Sequence, residues 1–180
     1  MKIKFLELNN FKSFKGKTTI PFKSGLTIIT GLNGAGKSNI IDGINFTLGK
    51  YETEAKYLIY EGEKEAASKI VLADENENLL SISRTVDINN SKSLKINGKM
   101  ANDKDIPCND FNFMLLDSYS HNQLDAYRLK DFIAKLKEES NKKQVILAST
   151  QNNLIDYANQ VIMVNQKTEN QSEIKEMQSI

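Results

Sequence analysis

The hydrophobic pattern of the chain switches between two periods. Short apolar runs and alternations predict strands near residues 3–8, 16–21 and 26–30, then near 69–73, 79–86 and 93–96, and later at 112–117, 144–149 and 160–165. Helical spacing replaces them twice. Ile40, Ile41, Ile44 and Leu48 share one face of a helix over 37–48, and Leu124, Tyr127, Leu129, Phe132, Ile133 and Leu136 do so over about 124–138. A shorter helix is expected at 152–158. Asn97-Gly98 marks a turn. Segment 50–67, rich in Glu and Lys with Tyr51, Tyr57 and Tyr60, follows neither period. Lys167–Gln178 alternates loosely, the pattern of an edge strand or a frayed tail. A β-rich first half followed by alternating strands and helices predicts an α/β fold with an antiparallel subdomain.

Chemistry concentrates where the third strand gives way to the first helix. Gly31 to Ser38 reads G-L-N-G-A-G-K-S and fits the phosphate-binding P-loop at every fixed position. Leu26-Thr27-Ile28-Ile29 before it is a buried strand, and Asn39–Leu48 after it is a helix, which is the context the motif requires. Glycines let backbone N–H groups turn inward around a phosphate, and the helix N-terminus adds partial positive charge. Lys37 is placed to reach the β and γ phosphates, and the Ser38 hydroxyl to ligate Mg²⁺. A nucleoside triphosphate is therefore the expected ligand. Guanine is disfavoured, because Asn141-Lys142-Lys143-Gln144 lacks the Asp of an N-K-x-D motif.

The surroundings of the loop carry a resemblance. Phe5-Leu6-Glu7-Leu8-Asn9-Asn10-Phe11-Lys12-Ser13-Phe14, Ile20-Pro21-Phe22, Gly25–Ile29 and Asn33-Gly34-Ala35-Gly36-Lys37-Ser38-Asn39-Ile40-Ile41-Asp42 resemble the amino-terminal lobe of SMC, RecF and related DNA-repair ATPases. The likeness is dense over residues 2–49. It implies a P-loop NTPase of the ABC ATPase head type, working on chromosomes or broken DNA with ATP and Mg²⁺. It places Lys12 and Ser13 beside the nucleotide, together with Asn33, Gly34, Ala35, Gly36, Lys37, Ser38 and Asn39. Phe111–Leu116 ending in Asp117 then resembles a Walker B strand, whose carboxylate holds Mg²⁺ beside Ser38. On its own, Asp117 also suits a helix N-cap. Leu124-Asp125 resembles the D-loop, and Gln151–Leu154 with Tyr157–Val164 resembles the closing helix and strand of SMC carboxy-terminal lobes. Lys56 is the nearest equivalent of a basic residue that senses DNA in such heads.

Departures from that pattern bear on turnover. Ser118 stands where these ATPases place the Glu that activates water, and a hydroxyl is no base at neutral pH without help. The run from Asp117 to Asp125 is longer by one residue than the family spacing. Thr150 occupies the switch-histidine position, while His121, the only histidine, lies in the loop after Asp117. All nine glycines fall between Gly16 and Gly98, so the LSGG signature is absent from the second half. The first glutamine is Gln123, so no Q-loop precedes it, and only Met100–Asn109 separates Lys99 from Asp110 where an SMC protein has a coiled-coil arm.

Composition limits the remaining choices. At 180 residues, 39% apolar and 26% charged, the chain builds one core, read as a single domain of 1–180. Within it, 1–99 is expected as an amino lobe with the P-loop, 100–110 as a short linker, and 111–180 as a carboxy lobe with the Walker B strand. A net charge of +1 supplies no global attraction to DNA, although Lys2, Lys4, Lys12, Lys15, Lys17 and Lys23 cluster locally. No run is apolar enough for a membrane span, and the start lacks a signal-peptide core, so an intracellular place, cytoplasm and nucleoid or nucleus, is expected. Cys108 is the only cysteine, which excludes an internal disulfide. Two functions follow: an ATP-binding SMC-like head in chromosome organisation, segregation or DNA repair, with hydrolysis weak or dependent on a complete SMC-type head as heterodimer partner, or a degenerate nucleotide-binding regulatory module without turnover.

Overall fold

Two sheets enclose the first long helix. The computed structural model describes residues 1–117 and 126–179. An antiparallel sheet is ordered β2-β1-β4-β5-β6-β7, from β1 (Lys2–Phe11), β2 (Phe14–Pro21), β4 (Glu65–Ala73), β5 (Leu79–Asp87), β6 (Lys92–Ile96) and β7 (Lys99–Met100). A mixed sheet is ordered β11-β10-β3-β9-β8, from β3 (Leu26–Thr30), β8 (Phe113–Leu116), β9 (Gln144–Ala148), β10 (Gln160–Thr168) and β11 (Gln171–Ser179). In the latter β10, β3, β9 and β8 run parallel, and β11 returns antiparallel along β10. The helices are α1 (Lys37–Thr47) and α2 (Ala126–Lys142).

Side-chain alternation assigns the layers. In β9, Ile146 and Ala148 join the core around α1, whereas Val145 and Leu147 face a second cluster with Leu136 of α2 and Leu154. Every residue of β3 and β9 is buried, because these central parallel strands are covered on both faces. Leu6, Leu8, Ile70, Leu72 and Ile82 of the antiparallel sheet fill the other side of the α1 core, with Phe11 and Phe46 5.6 Å apart between ring centres. At Gly43 of α1, an added Cβ would lie 2.6 Å from Leu8 Cδ2, so the helix approaches β1 closely there.

Two buried glutamines join the sheets at the end remote from the P-loop. Gln144 accepts from Ile3 N–H (2.8 Å) and donates to the carbonyls of Ile3 (2.9 Å) and Lys23 (2.8 Å). Gln160 accepts from Lys23 N–H (2.9 Å) and donates to Pro21 O (2.9 Å). Each opens its strand, a place where periodicity says nothing about a buried amide.

The unreadable segment resolves into a strap. A 3-10 turn at Ala55–Tyr57 buries Ala55 and Leu58, and the backbone then ties to the β1 end through Lys12 N to Leu58 O (2.7 Å) and Tyr60 N to Asn10 O (2.8 Å). Residues 100–110 hold two further 3-10 turns, Asp103–Asp105 and Cys108–Asp110. The first is fixed by the largely buried Arg84, which pairs with Asp103 and donates to Thr47 O (3.4 Å) at the end of α1. The helix expected at 152–158 is a 3-10 turn over Asn152–Tyr157, and the loosely alternating tail is the edge strand β11.

Candidate functional site

The carboxyl ends of β3, β8 and β9 open onto one edge, delivering Gly31, Asp117 and Ser149 side by side. Ligands of open α/β sheets bind at such an edge. The chain leaves β3 through Gly31, whose φ is 148°, and a Cβ there would lie 2.2 Å from Val164 O, so only glycine fits between the loop and β10. Gly36, at φ 102°, caps α1 without a side-chain hydrogen bond, and no acidic residue occupies the first turn of the helix. Although the Asn39 N–H donates to Gly36 O (3.1 Å), the helix start thus carries no side chain that competes with an anion.

Lys37 is buried, with 6% of its surface exposed. Its ammonium donates to the carbonyls of Gly31 (3.0 Å) and Leu32 (2.8 Å), folding back across the loop. Burial pushes its pKa below the ordinary lysine value, and the nearby Asp117 charge offsets only part of that. Ser38 Oγ donates to Asp117 Oδ1 at 3.0 Å. The hydroxyl and carboxylate expected to share Mg²⁺ are thus adjacent, although they are separated by 79 residues in sequence. Both oxygens are hard donors of the kind Mg²⁺ takes.

A second wall comes from the antiparallel sheet. The β1–β2 turn places Lys12, itself in a left-handed conformation at φ 50°, against α1. Lys12 Nζ bonds Asp42 Oδ2 (2.6 Å) and Tyr51 Oη (2.9 Å). Burial works against that charge, yet the bonds to Asp42 and Tyr51 outweigh it and hold the lysine above its ordinary range. Ser13 Oγ accepts from Asn39 Nδ2 at 2.7 Å. Lys12, Ser13, Gly34 and Asn39 line a groove of about 650 Å³ beside the loop, together with Tyr51, Tyr57 and the β10–β11 turn. Asn33 and Gly34 are exposed on the loop, and Ala35 is buried beneath it. Asp42 and Tyr51 were not legible as site residues, since each only acquires meaning through contact with Lys12. A larger cavity of about 810 Å³ lies at the opposite ends of the parallel strands, lined by residues such as Lys2, Lys4, Asp74 and Gln144, far in the fold from the loop. Ser118, His121 and Asp125 lie outside the described residues.

Comparison with known proteins supplies the family and the fold. The family model described as "RecF/RecN/SMC N terminal domain" matches residues 2–109, more than half of the chain. The chain belongs to this RecF/RecN/SMC family. The chromosome partition protein Smc of Halothermothrix orenii is 38% identical over 126 residues, covering 59% of this chain and 10% of that protein. The chain thus spans about a tenth of the length of that relative. Among solved structures, the SmcHead bound to the C-winged helix domain of ScpA superposes with a TM-score of 0.87 at 18% identity, covering 100% of this chain and 98% of that one. At that identity the likeness is one of fold, and the fold is that of an SMC head: an ABC ATPase-like α/β core with an antiparallel subdomain. A structure from work on ATP-driven dimerization and DNA stimulated activation of SMC ATPases is 34% identical, with a TM-score of 0.55 over 58% of this chain and 74% of that one. Among the described residues of this family member, no helix is long and apolar enough to cross a membrane.

Proposed function

We propose that this chain binds ATP with Mg²⁺ on the Gly31–Ser38 loop and acts as an SMC-type head in chromosome organisation or DNA repair. The observation that carries the reading is the convergence of Lys37, Ser38 and Asp117 at one strand edge, under a helix start free of acidic side chains. Lys37 would exchange its two loop carbonyls for phosphate oxygens, which needs only a side-chain movement. Ser38 and Asp117 would hold the metal, whose charge neutralises the phosphates when bound. Lys12, Ser13 and Asn39 would border the nucleoside in the adjoining groove, with Asn33, Gly34, Ala35 and Gly36 supplying loop backbone. The same reading divides the chain at 1–99, 100–110 and 111–180.

Turnover in this reading is weak or depends on a partner. Ser118 supplies no carboxylate base, and without a signature glycine pair a symmetric pair of these chains lacks the groups that cap the triphosphate. A complete SMC-type head could finish one composite site, in keeping with the ATP-driven dimerization named for the 34%-identical relative. Light scattering with ATP and Mg²⁺ tests the assembly: the chain alone stays monomeric, and a tight ATP-dependent homodimer would contradict it. A hydrolysis assay run beside it separates a slow ATPase from a regulatory module with no turnover.

A further inference from the structure

The β10–β11 hairpin packs its backbone against the P-loop at Gly31 and bonds it through the Ser172 side chain. Ser172, near the start of β11, is 5% exposed, and its hydroxyl lies 2.6 Å from Ala35 O and 2.7 Å from Ser13 Oγ. Its backbone N–H donates to Ser13 O at 2.8 Å. Asn39 Nδ2 in turn donates to Ser13 Oγ at 2.7 Å. Each hydroxyl has a single proton, so the arrangement that satisfies the whole chain runs from Asn39 to Ser13 to Ser172 and ends on the Ala35 carbonyl. Four pieces of backbone meet there: the first turn of α1, the β1–β2 turn, β11 and the loop itself. Packing is equally close, since a Cβ on Gly36 would lie 2.3 Å from Ser172 Oγ and 2.8 Å from Ser13 Oγ.

We propose that Ser172 is a positioning residue for the phosphate-binding loop, an inference that rests on the nucleotide reading above. Peptide planarity is the physical link. The carbonyl of Ala35 and the N–H of Gly36 belong to one rigid trans peptide and point in opposite directions. Holding the carbonyl toward β11 keeps the Gly36 N–H turned to the other side. A loop that cradles phosphate through backbone amides depends on such fixed directions. Because Ser172 sits on the edge hairpin and not on the loop, displacement of β11 would release the loop without touching any residue that meets phosphate.

The test uses the full chain and two probes, ATP with Mg²⁺ and inorganic triphosphate, titrated calorimetrically into the parent and Ser172→Ala. Thermal midpoints are measured without either probe. Loss of one buried hydrogen bond corresponds to roughly three- to tenfold in affinity. Positioning predicts that loss for both probes, with the midpoint lowered by only about 2–4 °C. Parent affinity for both probes in Ser172→Ala overturns the inference while leaving the nucleotide reading intact, even if the midpoint falls. Failure of the parent to bind either probe overturns the nucleotide reading and the inference together. Should Ser172→Ala not fold, Ser13→Ala breaks the same relay from the other side: about a threefold loss for both probes supports positioning, and unchanged affinity overturns it.

Discussion

The two sheets meet on opposite sides of α1 and contribute to the site in different ways. In the mixed sheet β3 and β9 are buried at every position, which fixes their backbones and hence the loops that leave them. From the end of β3 come the glycine loop and Lys37, and from the end of β8, paired alongside β9, comes the Asp117 carboxylate. The antiparallel sheet buries alternate residues, keeps a solvated face, and reaches the site only by a turn, Lys12-Ser13. One sheet sets backbone; the other adds side chains by reaching across α1. Mutations that reshape the first should therefore disturb phosphate binding and folding together, while those in the second should be more nearly local.

The largest expected effect separates ligand binding from folding within the mixed-sheet site. Lys37→Ala should weaken ATP roughly 10²- to 10³-fold, the scale of removing one member of a close charge pair, with little change in the thermal midpoint. Equal ATP affinity in mutant and parent would break the account. Next comes turnover. Ser118→Glu should raise hydrolysis by up to about 10²-fold if the residue stands at the base position. An unchanged rate would show that the longer run to Asp125 has displaced the register, or that the missing partner groups are limiting.

Two glycine substitutions then compare the sheets directly. Gly31→Ala forces a Cβ to within 2.2 Å of a β10 carbonyl at a backbone angle that disfavours side chains. It should cost about 3 kcal/mol in denaturant unfolding. Gly43→Ala meets the end of the Leu8 side chain at 2.6 Å, with Ser68 Oγ and Leu6 Cδ2 at 3.4 and 3.7 Å, and gains helix propensity, so about 1 kcal/mol net is expected. A reversal of that order would remove the distinction between a rigid and a yielding wall.

The smallest effect is in pH. The lowered pKa of Lys37 means that its charge is lost as pH rises through a value below the ordinary 10.5, so ATP affinity should decline there. The raised pKa of Lys12 keeps that lysine charged over the same range. The stability of the empty chain changes with the opposite sign for Lys37. Between its folded pKa and 10.5 the unfolded chain holds more protons, so this group makes folding more favourable as pH rises. Lys37→Arg, which stays charged, should flatten the affinity profile. A decline that persists in Lys37→Arg would assign the titration to another group.

Much of this was legible in the residues. The strand-loop-helix around Gly31–Ser38 declares itself because glycine, lysine and serine are needed there for separate physical reasons, and the flanking apolar runs supply the frame. The nearness of Asp117 to Ser38 was also anticipated: a strand-end carboxylate suits a helix N-cap as well, and only the P-loop in the same chain favoured the place beside Ser38. Ser172 was not. A serine in a loosely alternating edge strand looks like any solvated position, and its meaning comes from sitting 137 residues from Ala35 in sequence but at 2.6 Å in space. Asp42 and Tyr51 were hidden for the same reason, as were Gln144 and Gln160, whose amides join the two sheets. The segment around Ala55–Leu58 resisted reading because it is held by backbone bonds to β1, which leave no period in the side chains.

Calorimetric titration of the unaltered chain with ATP in the presence of Mg²⁺ tests the central claim most directly. One saturable site, lost in Lys37→Ala and weaker when Mg²⁺ is withdrawn, is the result predicted by the meeting of Lys37, Ser38 and Asp117. An absence of ATP binding, or binding that survives Lys37→Ala unchanged, would contradict it.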